Sequence, residues 1–156
     1  MPGVADSLLA TLGLYGATFA VAFVAGMFPI VSIEVFLGGV SARGAEAREL
    51  VVLIGIAVVG HQIAKTITYY AGAGVFELPR GKVRKQIETA KRRIDRWNRR
   101  PRLIMFVAAV TGLPPLYLLG FIARSLMKMS LTTFTAISVT GRIVRYTGAV
   151  ALGGLF

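Results

Sequence analysis

The residues best equipped for chemistry are two arginines, Arg142 and Arg145, near the middle of a 26-residue stretch, Leu131–Phe156, that holds no other charged side chain. If that stretch crosses a bilayer as one helix, both guanidinium groups lie near the midplane, where each costs about 2.5–3.5 kcal/mol on insertion scales. A chain keeps such a burden when the charges line an internal cavity or meet a counter-charge. Ser138, Arg142 and Arg145 succeed one another at steps of four and three, which puts them on one helix face. Arginine offers paired donors to carboxylate or phosphate oxygens. The bland alternative is that the arginines snorkel from a helix end. It needs a spanning segment before them, and only thirteen residues separate Lys128 from Arg142.

Three more ionisable residues stand in apolar surroundings. Glu34 comes after Pro29 and Ser32 in a short apolar segment, and His61 and Lys65 stand four apart in the run from Leu50 to Phe76. Thr68 or Tyr69, and then Gly72, continue their stripe. Such a stripe in a membrane helix faces protein or water rather than lipid. Glu34 is the candidate counter-charge for the arginines: ionised, it neutralises them; protonated, it releases them. The bland readings are a structural salt bridge or an interfacial position for Glu34, and a partner-satisfied polar face for His61 and Lys65.

Enzyme chemistry has little to work with. There is one histidine and no cysteine, and the chain lacks HExxH, a Gly-Lys-Ser/Thr phosphate loop and a second carboxylate near Glu34. The expectation is a non-enzyme with no metal site and no cofactor. Tyr15, Tyr69, Tyr70 and Tyr117 read as packing or interface anchors.

The hydropathy pattern defines the elements that must position these residues. Hydrophobic residues make up 55% of the 156 positions, only 16% are charged, and the mean hydropathy is +0.69. Apolar stretches of roughly 20 residues match the hydrocarbon core. Leu8–Phe28 is one, with Gly13, Gly16, Gly26, Ala17, Ala20 and Ala22 offering small faces for close helix approach. With no Lys or Arg among the first twenty residues, it reads as a retained segment rather than a signal peptide. The run breaks at Phe28-Pro29, and the next apolar piece extends about ten residues before Arg43, roughly 15 Å as a helix. Leu50–Phe76 is a second long run. Leu103–Ile122 is a third, interrupted by Pro114-Pro115 into legs of about 17 Å each, too short to span alone. Basic residues flank it on both ends, Arg99, Arg100 and Arg102 before, Arg124 and Lys128 after. The positive-inside tendency sets both ends on the cytoplasmic side, so the segment reads as a re-entrant hairpin, with a proline-kinked spanning helix as the alternative.

Charge is concentrated in one place. The net charge is +11, and eleven of the eighteen Lys and Arg residues lie between Arg80 and Arg102 with only Glu88 and Asp95. Val83, Ile87, Ala90, Ile94 and Trp97 form one apolar stripe through that segment, so residues 79–100 read as an amphipathic basic helix on an anionic cytoplasmic membrane surface. Nucleic acid is not the expected partner of one basic segment set between apolar runs. The whole pattern predicts a single all-α integral membrane domain over 1–156: a first half at 7–78, the basic helix at 79–100, and a second half at 101–156. Each half carries a proline-broken segment, with tips at Pro29 and Ser32 or at Pro114 and Pro115, then a long run with interior polar residues. Paired interrupted segments of this kind point to an inverted repeat around a transport site.

At this level the chain resembles the DedA superfamily, also called SNARE-associated or VTT-domain membrane proteins, and within it the short YqaA-like branch. The resemblance rests on Pro29…Ser32-Ile33-Glu34 before Gly38-Gly39, on Gly60-His61, on Leu113-Pro114-Pro115…Leu119-Gly120, and on Gly141-Arg142…Arg145-Tyr146. It implies two opposed re-entrant hairpins, spanning helices, a multi-pass place in the bacterial cytoplasmic (inner) membrane, and flippase- or scramblase-like lipid movement. The cargo so implied is undecaprenyl phosphate or another anionic phospholipid, and Glu34 matches the acidic residue of the first hairpin. Two other functions stay open from the residues: a proton- or ion-coupled small-solute transporter, and a structural or regulatory membrane subunit. So few spanning helices enclose little volume, which leaves room for a homo-oligomer.

Overall fold

A computed structural model describes residues 4–28, 31–72, 100–111, 119–125 and 127–154, together with Lys85, Thr89 and Arg92. Six helices carry the described core: α1 Val4–Met27, α2 Ile33–Ala42, α3 Ala47–Tyr70, α4 Pro101–Thr111, α5 Leu119–Ser125 and α6 Leu131–Gly153. No strand occurs among the described residues. The proline positions Pro29, Pro114 and Pro115 lie outside them, as do the apolar stripe and most of the basic face of residues 79–100.

Local chemistry sets the helix ends. Ser32 has extended backbone and its hydroxyl accepts from the Val35 amide at 3.3 Å, which starts α2; Ser130 does the same for the Thr133 amide at the start of α6. Gly44, at φ +83°, turns the chain between α2 and α3, a conformation that a Cβ disfavours. Within α1 the expected continuous run is interrupted: Gly13 is non-helical at φ +71°, which leaves Gly13–Met27 as a shorter apolar helix.

The two long helices, α3 and α6, run antiparallel. His61 lies beside Tyr146, whereas Tyr69, two turns on, stacks on Phe134. Around them the short helices pair in a regular way. α1 runs along α3, Phe19 meeting Gly60 and Gly26 meeting Ala64. α2 runs along α6, from Glu34 beside Arg145 to Ser41, whose hydroxyl donates to the Val150 carbonyl at 2.9 Å. α4 runs along α6, with Ala109 against Gly141, and α5 along α3, with Gly120 against Lys65–Tyr69 and Phe121 against Gly72. Each helix pair therefore lays its first member on the long helix that comes next in sequence. Its second member lies on the other long helix.

These contacts depend on missing side chains. A Cβ on Gly120 would lie 2.6 Å from the Lys65 carbonyl oxygen, and one on Gly141 would lie 2.5 Å from the Ala109 Cβ. Close backbone approach of this kind gains dispersion contacts where no hydrophobic force distinguishes helix from lipid.

Two apolar clusters close the ends of the bundle. One joins α1, α2, α3 and α6 through Ala22, Ile33, Leu37, Leu53, Ala57 and Tyr146. The other joins α3, α4, α5 and α6 through Tyr69, Met105, Ala108, Ala123, Met129 and Phe134. Between them lies a band in which polar side chains, not apolar ones, link α3 to α6. On the outside, α3 exposes Val51, Val52, Val59, Ile63, Ile67 and Tyr70 along its whole length. It is the one helix among the described residues that is long and apolar enough to cross a membrane. α6 is almost as long but carries Arg142 and Arg145 in its interior.

Candidate functional site

The polar band is built from one arc of α6 and the middle of α3. On α6, Thr135, Ser138, Arg142, Arg145 and Tyr146 fall within about a third of the helix circumference at 100° per residue. The first turn of α2 and the last turn of α1 reach the same level from the side.

Glu34 closes on Arg145, with Oε1 2.7 Å from Nε, and both side chains are half-buried. The Ser32 hydroxyl donates to the other oxygen, Oε2, at 2.7 Å. Ser32 thus starts α2 and also orients the carboxylate, and the helix dipole favours an acid in that first turn. The expected counter-charge is present, and it pairs with one arginine. Arg142 is nearly enclosed, 5% exposed, and its Nη1 donates to Gln62 Oε1 at 2.8 Å. Gln62 in turn donates from Nε2 to Thr135 Oγ1 at 3.3 Å, so one amide spans two positions of the α6 arc.

His61 and Lys65 form one stripe in the sequence, yet they reach different helices. His61 Nδ1 and the Tyr146 hydroxyl share a hydrogen bond of 2.8 Å across α3 and α6. The buried Lys65 ammonium donates to the Gly26 carbonyl at 2.7 Å, in the last turn of α1. A cation at a helix C-terminus meets carbonyls that lack a helical donor, so Lys65 ties the end of α1 to α3. Ser138 is fully buried, and its hydroxyl has no hydrogen-bond partner among the described residues.

Two groups of the site, Gln62 and the Gly26 carbonyl, escape a reading by helical stripe, and Tyr146 lies on the Arg142 stripe without being read as part of the site. Gln62 stands one residue from His61, about 100° away, and so falls off the stripe that His61 and Lys65 define. Its own signal is an amide in the interior of an apolar run. Tyr146 sits four residues after Arg142 on the same face, and its hydroxyl needs a partner when buried. The Gly26 carbonyl leaves no sequence signal at all.

Lys65, Arg142 and Arg145 share this band, and Glu34 is paired with Arg145. Among the described residues no group of three His, Cys, Asp or Glu side chains comes together as metal ligands. Two guanidinium groups and a carboxylate at one level offer paired donors to an anion's oxygens. No family model matches the chain, and no curated protein and no solved structure matches it.

Proposed function

We propose that this chain is a multi-pass protein of the bacterial cytoplasmic membrane that moves lipids with anionic phosphate headgroups between leaflets. The observation that carries the reading is the Glu34–Arg145 pair at 2.7 Å, set beside Arg142 in the middle of α6. Guanidinium groups at that depth supply a polar step for a phosphate that must otherwise cross hydrocarbon. The two guanidinium groups favour an anionic cargo, and the apolar outer face of α3 favours a lipid environment.

The helix directions support an inverted repeat of two re-entrant hairpins. In this reading α1–α2 and α4–α5 dip in from opposite faces and end beside the polar band, where irregular backbone is tolerated because protein surrounds it. The basic segment 79–100, which lies between α3 and α4 in the chain, then rests on the cytoplasmic surface. The resemblance to the DedA superfamily belongs to the same proposal and would make undecaprenyl phosphate or a related anionic lipid the cargo.

A second reading has one observation in its favour. Arg142 is almost wholly enclosed and hydrogen-bonded to Gln62, as a charge that only fixes assembly would be. Vesicles reconstituted with the purified chain separate the readings. Protein-dependent exchange of a labelled anionic lipid, faster than that of a zwitterionic lipid of equal chain length, supports lipid movement. No exchange of either lipid leaves the structural reading, and flux of a small solute alone makes the site a solute pathway.

A further inference from the structure

The Glu34–Arg145 pair is not sealed from the outside. The Arg145 side chain is 32% exposed and that of Glu34 20%, whereas Arg142, one turn earlier on α6, is nearly enclosed. The opening lies between α2 and α6, which run side by side in the same direction. Fully buried Ile33 and Leu37 mark the core side of α2, and Val35, 76% exposed, and Gly39 mark its outer side. On α6, at 100° per residue, Gly148 and Leu152 stand within about 60° of Arg145. Both are exposed, as is Val144. A Cβ on Gly39 or on Gly148 would meet nothing within 4 Å. The two helices thus border an apolar groove that lacks side chains at two of its positions, and the ion pair lies at one end of it.

We propose that this groove seats an acyl chain, so that a lipid reaches the ion pair sideways from the bilayer with its anionic headgroup against Arg145. A half-exposed guanidinium that faces hydrocarbon alone is costly. The occupant of this face therefore carries negatively charged atoms at the level of Arg145 and apolar ones beyond it, and a phospholipid has both in that order. The outer face of α3 is equally apolar, but the ionisable residues of that helix interior, His61 and Lys65, turn inward to Tyr146 and Gly26. Packing against protein gains an acyl chain little more than packing against other lipids, so the headgroup contact holds the lipid and the groove orients it. The groove rests on the lipid-movement reading and adds the route by which the lipid arrives.

The experiment places the full chain in vesicles with a trace of phosphatidylglycerol, or of phosphatidylcholine, that carries a photoactivatable diazirine midway along one acyl chain. Adducts are mapped to residues after illumination. The phosphatidylglycerol probe is expected to label Val35, Val144 and Leu152 several-fold more than Val59, Ile63 and Ile67 of α3. The phosphatidylcholine probe should label both sets alike. Gly148→Phe fills the groove from an open position, so its melting temperature should match the wild type while groove adducts and anionic-lipid exchange both fall several-fold. Gly55→Phe, on the outer face of α3 where a Cβ also meets nothing within 4 Å, should change neither. Even labelling of the two faces by the anionic probe overturns the proposal. So does the same groove preference in both probes, or groove adducts that survive Gly148→Phe. Near-complete disulfide formation between copies carrying Gly148→Cys would put a second copy on this face and overturn it too. Exchange by the wild type without groove adducts overturns the groove alone, and groove adducts of the anionic probe without exchange overturn lipid movement alone.

Discussion

Arg145, in the middle of α6, lies 2.7 Å from Glu34, in the first turn of α2. The contact joins a short helix of the first half to the long helix of the second. It therefore links the two halves at the level where α1 ends and α2 begins. A double-mutant cycle on this pair, with Glu34→Ala, Arg145→Ala and both together, is expected to give a coupling of about 1 kcal/mol in detergent thermal unfolding, since both side chains are partly exposed and water screens them. A coupling near zero would mean that the pair does not form in solution.

Arg142 should behave differently because it is enclosed. Gln62→Leu strips a buried cation of its hydrogen-bond acceptor and is expected to cost about 3 kcal/mol. Gln62→Leu combined with Arg142→Met should recover most of that loss, since the charge goes with its partner. Chemical or thermal denaturation in detergent reads both. If the single change costs as little as a surface substitution, Arg142 is solvated by other means.

The helix contacts predict where an added methyl is tolerated. Gly141→Ala places a Cβ 2.5 Å from the Ala109 Cβ, so α4 and α6 must separate, which is expected to cost about 1–3 kcal/mol. Gly148→Ala, on the same helix with nothing within 4 Å, should be neutral or slightly stabilising. Equal melting temperatures for the two variants would contradict the α4–α6 packing.

Much of the helical architecture is legible in the sequence because long apolar runs mark helices by length and apolarity. The runs from Leu50 and from Leu131 appear as α3 and α6. The prolines that interrupt the run after Phe28 and the run Leu103–Ile122 lie outside the described residues. The shared face of Ser138, Arg142 and Arg145 comes from 3.6-residue periodicity, and of the three Arg142 reaches α3, at Gln62. Partner choice is another matter. Nothing in local spacing tells that α2 crosses to α6, or that Arg142 is met by Gln62 while Glu34 goes to Arg145, because those pairings depend on which helices pack together far along the chain, as α2 and α6 do at Gly38 and Gly153. The break at Gly13 is equally hidden, since a lone glycine in an apolar run reads as a packing site as readily as a kink.

Topology offers a clean check, since the chain contains no cysteine. Single cysteines at Ala42, at the end of α2, and at Lys128, between α5 and α6, lie at opposite ends of the bundle, and both residues are exposed. A membrane-impermeant thiol reagent applied to intact cells or oriented vesicles should reach one and not the other. Labelling of both from the same side would remove the membrane-spanning reading of α3.

Whether the buried arginines move lipid is measured most directly by exchange of a fluorescent anionic lipid in vesicles containing the wild type or the Arg142→Ala, Arg145→Ala double variant. Both proteins must first be shown to be folded and inserted in equal amounts. The wild type is expected to accelerate exchange well above protein-free vesicles, and the double variant to fall back to the protein-free rate. Equal rates for the two proteins would contradict lipid movement through this site.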